Sequence, residues 1–297
     1  MKDKYFEMIE NIVGEDIGQR GLGDMIQRGD LKLAVMELFN SSKVMIVTGF
    51  CIKATMTGET DGPMGAVSLA NTLLQLGKEV LIITDDYSKE LVAGCSKVLN
   101  INVDIEVVPS ENTEEFCSQI IELYNPSLVV AIERPGRARD GRCYSMRGED
   151  LSSFVPNTDP LFKCAAQKGI KTIAVGDGGN EMGMGKITSL LQKKILNGDR
   201  ICAVTSSDYL IVAGVSNWGG HGIGAGLSIL SGEMLLHEIS HEVEMLEAML
   251  KAGGVDGCSK RKEMTVDGLS LDINLKILEN IKGVVEDALK DAEKEVC

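Results

Sequence analysis

Two carboxylates and a carboxamide sit among five glycines in Gly176-Asp177-Gly178-Gly179-Asn180-Glu181-Met182-Gly183-Met184-Gly185, directly after the apolar run Lys171-Thr172-Ile173-Ala174-Val175. Glycine at that density disfavours helix and strand, so the backbone here makes turns and close contacts while Asp177, Asn180 and Glu181 project polar groups. A carboxylate held partly out of water is driven toward a pKa near working pH, which is what a general acid or base requires. Asp177 suits a plain turn equally well. Glu181 is harder to explain by turn chemistry.

Two further segments carry groups of the same kind. In Glu59-Thr60-Asp61-Gly62-Pro63-Met64-Gly65, Pro63 suits a first helical turn and Asp61 or Gly62 its cap. The amides of Met64, Gly65 and Ala66 then lie at the positive helix end, where a carboxylate or phosphate is held. An ordinary capped helix, with Asp61 serving the protein's own amides, accounts for the same residues. The stretch from Glu133 to Asp150 places Arg134, Arg137, Arg139, Arg142 and Arg147 within fourteen residues of an otherwise acidic chain. Arginine forks grip carboxylates bidentately, which suits a small dianion. A solvated loop paired with Asp140, Glu149 and Asp150 is the structural alternative.

Several familiar motifs fail on inspection. Gly185-Lys186 ends like a P-loop, but Asn180 stands at the first glycine and Ile187 replaces the hydroxyl residue that meets magnesium. Gly220-His221-Gly222-Ile223-Gly224-Ala225 matches GxGxxA, yet it comes late and no second strand follows, so close helix packing explains it better. His237-Glu238-Ile239-Ser240-His241 is a literal HExxH. Leu235, Ile239, Val243, Leu246 and Leu250 form a helical stripe that leaves both histidines on the opposite, water-facing side. The eight cysteines stand singly at 51, 95, 117, 143, 164, 202, 258 and 297 without a CxxC pair, as small buried hydrophobes of a reducing compartment do. Cys143, near several arginines but no histidine in sequence, is a weak nucleophile candidate.

The elements that must position these groups are legible. Short β-branched runs at 43–48, 79–84, 104–108, 127–132, 171–175 and 208–213 alternate with helical patterns near 64–76, 88–99, 112–123, 158–168 and 188–197. That alternation predicts an α/β fold, a doubly wound and mostly parallel sheet flanked by helices, with helical N- and C-terminal extensions. We read 1–40 as a helical extension and 41–297 as one α/β domain ending in helices at 219–252 and 270–294, with a cut near 215 as the weaker division. Ligands of such sheets bind beyond the carboxyl ends of the strands, and the polar, Gly-rich segments all follow predicted strands.

Composition narrows the partners. Among 297 residues, 44% are apolar and 25% charged, and 30 basic against 44 acidic side chains leave a formal charge of −14. This predicts a globular protein with no general affinity for nucleic acid or anionic membrane. No signal peptide or long apolar span is visible, so we expect a cytoplasmic protein. The late apolar helix stripe permits a homodimer.

Taken together, Glu59 to Pro63, Glu133-Arg134-Pro135-Gly136, Tyr144-Ser145-Met146-Arg147-Gly148, Gly176 to Gly185 and Ser216-Asn217-Trp218-Gly219 resemble the D-glutamate cyclase-like C-terminal domain family. The resemblance extends through Val255-Asp256-Gly257 and Val266-Asp267-Gly268. It implies conversion of D-glutamate to 5-oxo-D-proline and water by a hydro-lyase, whose partner is a small acidic metabolite. In some larger relatives the domain is fused to a hydro-lyase-like domain not found in these residues.

From residue chemistry we assign Asp177, Glu181 and Glu59 as candidate catalytic carboxylates. Asp61, Gly62, Gly65, Glu133, Arg134, Arg147, Gly178, Asn180 and Asn217 are candidate substrate-binding residues. Arg134 and Arg147 would neutralise carboxylates, with the amides near Met64 and Gly65 as a second anion site. Asp61, Asp177 and Glu181 offer hard oxygen ligands for magnesium or manganese, without a spacing that demands a metal. The rival reading is a non-catalytic sensor of an acidic metabolite or nucleotide, and phosphoryl transfer is a third.

Overall fold

A computed structural model describes residues 2–296; Cys297 lies outside them. In chain order the strands are β1 (Lys43–Thr48), β2 (Cys51–Ile52), β3 (Thr57–Gly58), β4 (Glu79–Thr84), β5 (Asp104–Val107), β6 (Leu128–Ile132), β7 (Lys171–Gly176), β8 (Tyr209–Val212), β9 (Thr265–Val266) and β10 (Leu269–Ser270). The helices are α1 (Asp3–Val13), α2 (Asp30–Asn40), α3 (Pro63–Gln75), α4 (Lys89–Val98), α5 (Thr113–Tyr124), α6 (Asp159–Gln167), α7 (Thr188–Lys194), α8 (Gly198–Ile201), α9 (Ser216–Ser231), α10 (Ile239–Lys251) and α11 (Leu271–Val296). Every strand expected from the sequence is present to within about two residues.

The six longer strands form one parallel sheet in the order β5-β4-β1-β6-β7-β8. Both faces are covered, which is why these strands read as unbroken apolar runs. In β1, Val44 and Ile46 enter one core with α1, α2, α3, α4, α9 and α11, while Met45 and Val47 enter the other with α5, α6 and α7. The two-residue period of a strand divides the same run between two cores. From β1 the chain crosses to β4 on one side, and β6 lies on the other, in register from Val44 opposite Leu128 to Thr48 opposite Ile132. This reversal opens a crevice beyond the carboxyl ends of β1 and β6.

The GxGxxA run is a helix-packing device, as expected. It lies in α9, where a Cβ at Gly220 would sit 2.5 Å from the Gly65 carbonyl oxygen and one at Gly65 would sit 2.7 Å from Asn217 Cα. Only hydrogens at these positions let α9 and α3 approach so closely. The HExxH expectation needs correction. The helix begins at Ile239, after His237, and its buried positions are Glu242, Met245, Leu246 and Met249. His237 is therefore buried rather than facing water, and the two histidines do not share a helical face. Among the described residues no helix is long and apolar enough to cross a membrane.

Candidate functional site

A cleft of about 120 Å³ lies at the predicted end of the sheet. Glu133 follows β6, Asp177 and Glu181 follow β7, Glu59 precedes α3, and Asp267 occupies the turn between β9 and β10. Glu133 and Asp267 are held at φ 45° and 54°, a left-handed conformation that costs a non-glycine residue about 1–2 kcal/mol. Both side chains line the cleft, Asp267 from an Asp-Gly turn in which that conformation is usual.

The glycine loop wraps around one of its own acids. Glu181 Oε1 accepts the amides of Asp177 at 3.2 Å and Gly178 at 2.6 Å, and Oε2 accepts Gly179 at 2.6 Å. A Cβ at Gly178 would lie 2.8 Å from Glu181 Oε1, so any side chain there would press on that carboxylate. Asn180 closes the loop outward by donating Nδ2 to the Tyr144 carbonyl at 2.7 Å.

Asp177 is engaged differently. Its Oδ1 accepts Nη1 of Arg20, whose Nη2 lies 2.9 Å from Asp267 Oδ1. The second oxygens, Asp177 Oδ2 and Asp267 Oδ2, are buried with no hydrogen-bond partner. Burial pushes Glu59 and Glu133 well above the ordinary carboxylate range, and neighbouring carboxylates add to the effect. Burial also raises Asp177, against the opposing attraction of Arg20. Asp61 is pushed up to about 8 by burial and by Asp267. The nest thus mixes carboxyls driven toward the neutral acid with acceptors of unused capacity, a pairing suited to proton transfer.

Glu59, Glu133, Arg147, Asp177, Asn180 and Glu181 all line this one cleft, and Gly178 lies against Asn180 and Glu181. Arg147 stands exposed at the rim, donating Nη2 to the Cys258 carbonyl at 3.0 Å. Other expected binders are committed elsewhere. Arg134 is fully buried beneath the site, donating to Thr158 Oγ1 at 3.1 Å, the Gly49 carbonyl at 3.0 Å, the Pro156 carbonyl at 2.9 Å and Asp85. Its guanidinium ties loops together and does not line the cleft.

The amides of two expected binders, Gly62 and Gly65, the second of them part of the expected anion site, are taken by Asn217, whose Oδ1 accepts them at 2.9 and 2.8 Å. Asp61 returns the arrangement, accepting the Ser216 and Asn217 amides at the start of α9, each at 2.8 Å. Asn217 of α9 thus caps the start of α3, and Asp61, two residues ahead of α3, caps α9 while also accepting the Gly62 amide at 2.9 Å. The trio of Asp61, Asp177 and Glu181 also divides. Ligand oxygens of Asp61, Asp177 and Asp267 lie within 4.8 Å of one another, as do those of Glu133, Asp177 and Glu181. Asp177 is common to both groups.

Sequence reasoning missed Arg20 and gave Asp267 no role. Arg20 carries no motif; its only local signal is Asp16, whose carboxylate accepts the amides of Arg20 at 2.7 Å and Gly21 at 2.6 Å and so shapes the segment. Asp267-Gly268 is a tight-turn dipeptide, a signal that points to a hairpin rather than to chemistry.

A human protein, D-glutamate cyclase, mitochondrial, is 36% identical to this chain over 236 residues. The match covers 75% of this chain and 38% of that protein, so the chain spans well under half the length of this relative. A crystal structure of an exopolyphosphatase-related protein from Bacteroides fragilis overlaps 89% of this chain and 59% of its own at a TM-score of 0.39 and 14% identity. Residues 9–282 match the family described as D-glutamate cyclase-like, C-terminal, and with the glycine loop and its acids in place the chain belongs to that family.

Proposed function

We propose that this chain takes D-glutamate into the acidic cleft and cyclises it to 5-oxo-D-proline with loss of water. The observation that carries the reading is Asp177 Oδ2, a buried acceptor with no partner, beside Glu133, whose carboxyl is driven toward its neutral form. Asp177 takes a proton from the substrate ammonium, and the freed amine attacks the γ-carboxyl carbon. A C–N bond forms and a C–O bond breaks. Glu133 delivers one proton to the departing oxygen and then takes the second proton from nitrogen, while Asp177 passes the proton it took to the same oxygen, so the two hydrogens lost by nitrogen leave as water and both acids are restored. Holding amine and γ-carboxyl together in a closed cleft supplies the near-attack geometry. Arg147, Lys53 and Lys260 line the same cleft and offset the charge of an arriving dicarboxylate.

Asp61, Asp177 and Asp267 would also suit magnesium or manganese, whose charge would polarise the γ-carboxylate. The similarity to human D-glutamate cyclase supports the choice of substrate. Because the match covers only 38% of that protein, the competing reading is a domain that binds the metabolite without turning it over. Incubating purified protein with D-glutamate and following 5-oxoproline, with and without magnesium or manganese, tests both. Turnover that Asp177→Asn abolishes supports the enzyme; binding without turnover under every condition supports the sensor.

A further inference from the structure

The cleft holds a cation that comes from far away in the chain. Arg20 lies between α1 and α2, in a segment seated on the connection between β8 and α9. Gly214 donates its amide to the Val13 carbonyl at 2.9 Å, and a Cβ at Gly214 would sit 2.0 Å from the Glu15 carbonyl oxygen. With Asp16 holding the Arg20 and Gly21 amides, the backbone that delivers the guanidinium is braced at both ends.

The guanidinium leaves binding capacity on both sides of the contact. Of its five N–H donors, Asp177 and Asp267 take two and the Cys258 thiol a long third at 3.8 Å. Two donors remain. On the aspartates, Asp177 Oδ2 and Asp267 Oδ2 are buried and unpartnered, and an Asp61 oxygen lies within 4.8 Å of ligand oxygens from both. The two unpartnered oxygens match two of the three N–H donors of an ammonium group, and Asp61, whose oxygens already accept backbone amides, stands beside them. In an α-amino acid the carboxylate is attached one carbon from that ammonium, within reach of the spare N–H groups of a guanidinium beside the nest.

We propose that Arg20, Asp177 and Asp267 form a receptor for the zwitterionic head of an α-amino acid, the arginine taking the carboxylate and the two aspartates the ammonium. This rests on the amino-acid substrate proposed above and adds the rule by which it is chosen. The site discriminates against a dicarboxylate that lacks the amine, because such a ligand leaves the buried oxygens unpaired and brings further negative charge.

Calorimetric titration of D-glutamate and of glutarate into wild-type protein, R20Q and R20K tests the rule. Wild type is expected to prefer D-glutamate by about a hundredfold. R20Q should lose at least about tenfold in D-glutamate affinity, with R20K recovering part of it, since a lysine restores charge without the fork. Asp267→Asn provides a second arm in which the ammonium side alone is weakened, should R20Q fail to fold. Equal wild-type affinity for the two ligands overturns the proposal. So does D-glutamate affinity unchanged in folded R20Q, an outcome that leaves the cyclase reading standing. No D-glutamate binding by wild type overturns both.

Discussion

Two clusters of buried ionisable groups lie deep in this protein, and they drive their acids in opposite directions. In the first, Glu242 of α10 accepts Nε2 of His221 at 3.1 Å and of His237 at 2.8 Å, while the Nδ1 atoms of both rings meet the Ser68 hydroxyl at 3.2 and 3.0 Å. This clasp joins α3, α9 and α10 with every one of these side-chain polar atoms partnered. In the second, the cleft nest, six acids crowd around Arg20 and two buried oxygens have no partner. Burial opposes ionisation in both. In the clasp the histidines overcome it and hold Glu242 below the ordinary range; in the nest neighbouring acids reinforce it and raise Glu59, Glu133 and Asp61. The clasp is organised to hold the helices, and the nest keeps unused binding capacity at a cost in stability.

The sharpest way to break this contrast is to truncate one acid in each. Glu242→Ala should destabilise by about 3–5 kcal/mol in urea denaturation, because two buried imidazoles lose their acceptor. Asp177→Asn should destabilise less than Glu242→Ala, because Arg20 keeps its pair with Asp267 and the lost charge relieves repulsion among the acids, while turnover falls about a hundredfold. Equal destabilisation by the two variants would end the distinction.

A smaller effect should appear with pH. Asp61 rises from an ordinary 3.8 to about 8 in the fold, so the folded state binds the extra proton. Its contribution is fully present below about pH 4 and is lost as pH rises through about 8. His237 has the opposite sign. Burial lowers it from 6.5, so its contribution is present above that pH and is lost as pH falls. Thermal unfolding from pH 4 to 9 should show both limbs, with Asp61→Asn weakening the alkaline one, which Glu59, Glu133 and Asp177 share, and leaving the acid one.

The smallest expected effect is at the rim. Arg147→Ala should raise KM about threefold with kcat unchanged, and added salt should narrow the difference, because an exposed charge attracts through screened water. A kcat loss would place Arg147 in the chemistry with the nest.

How far each part could be read in advance follows from how local its cause is. The strand from Lys171 to Val175 and the loop after it are visible because alternation, burial on both faces and glycine density act over a few residues. Glu133 and Arg134 show where such reading stops. They are adjacent and both suit a ligand site, yet the left-handed φ at Glu133 sends its carboxyl to the cleft while Arg134 goes under the floor to Asp85. Asn217 and Asp61 look like two separate helix starts, and only the close packing of α3 against α9 makes each cap the other. The apolar neighbours of His237 suggest a helix through it, but the helix begins two residues later.

Propensity and periodicity, which act over a few residues, suffice for the layered α/β architecture, the end of the sheet where polar loops gather and the acidic glycine turn. Which carboxylates share the nest, and which cation faces them, follows from long-range packing. Arg20 and Asp177 stand 157 residues apart, and no pattern along the chain encodes their meeting. Partnership and loss of water, which set the charge state of a buried acid, exist only after distant segments have packed.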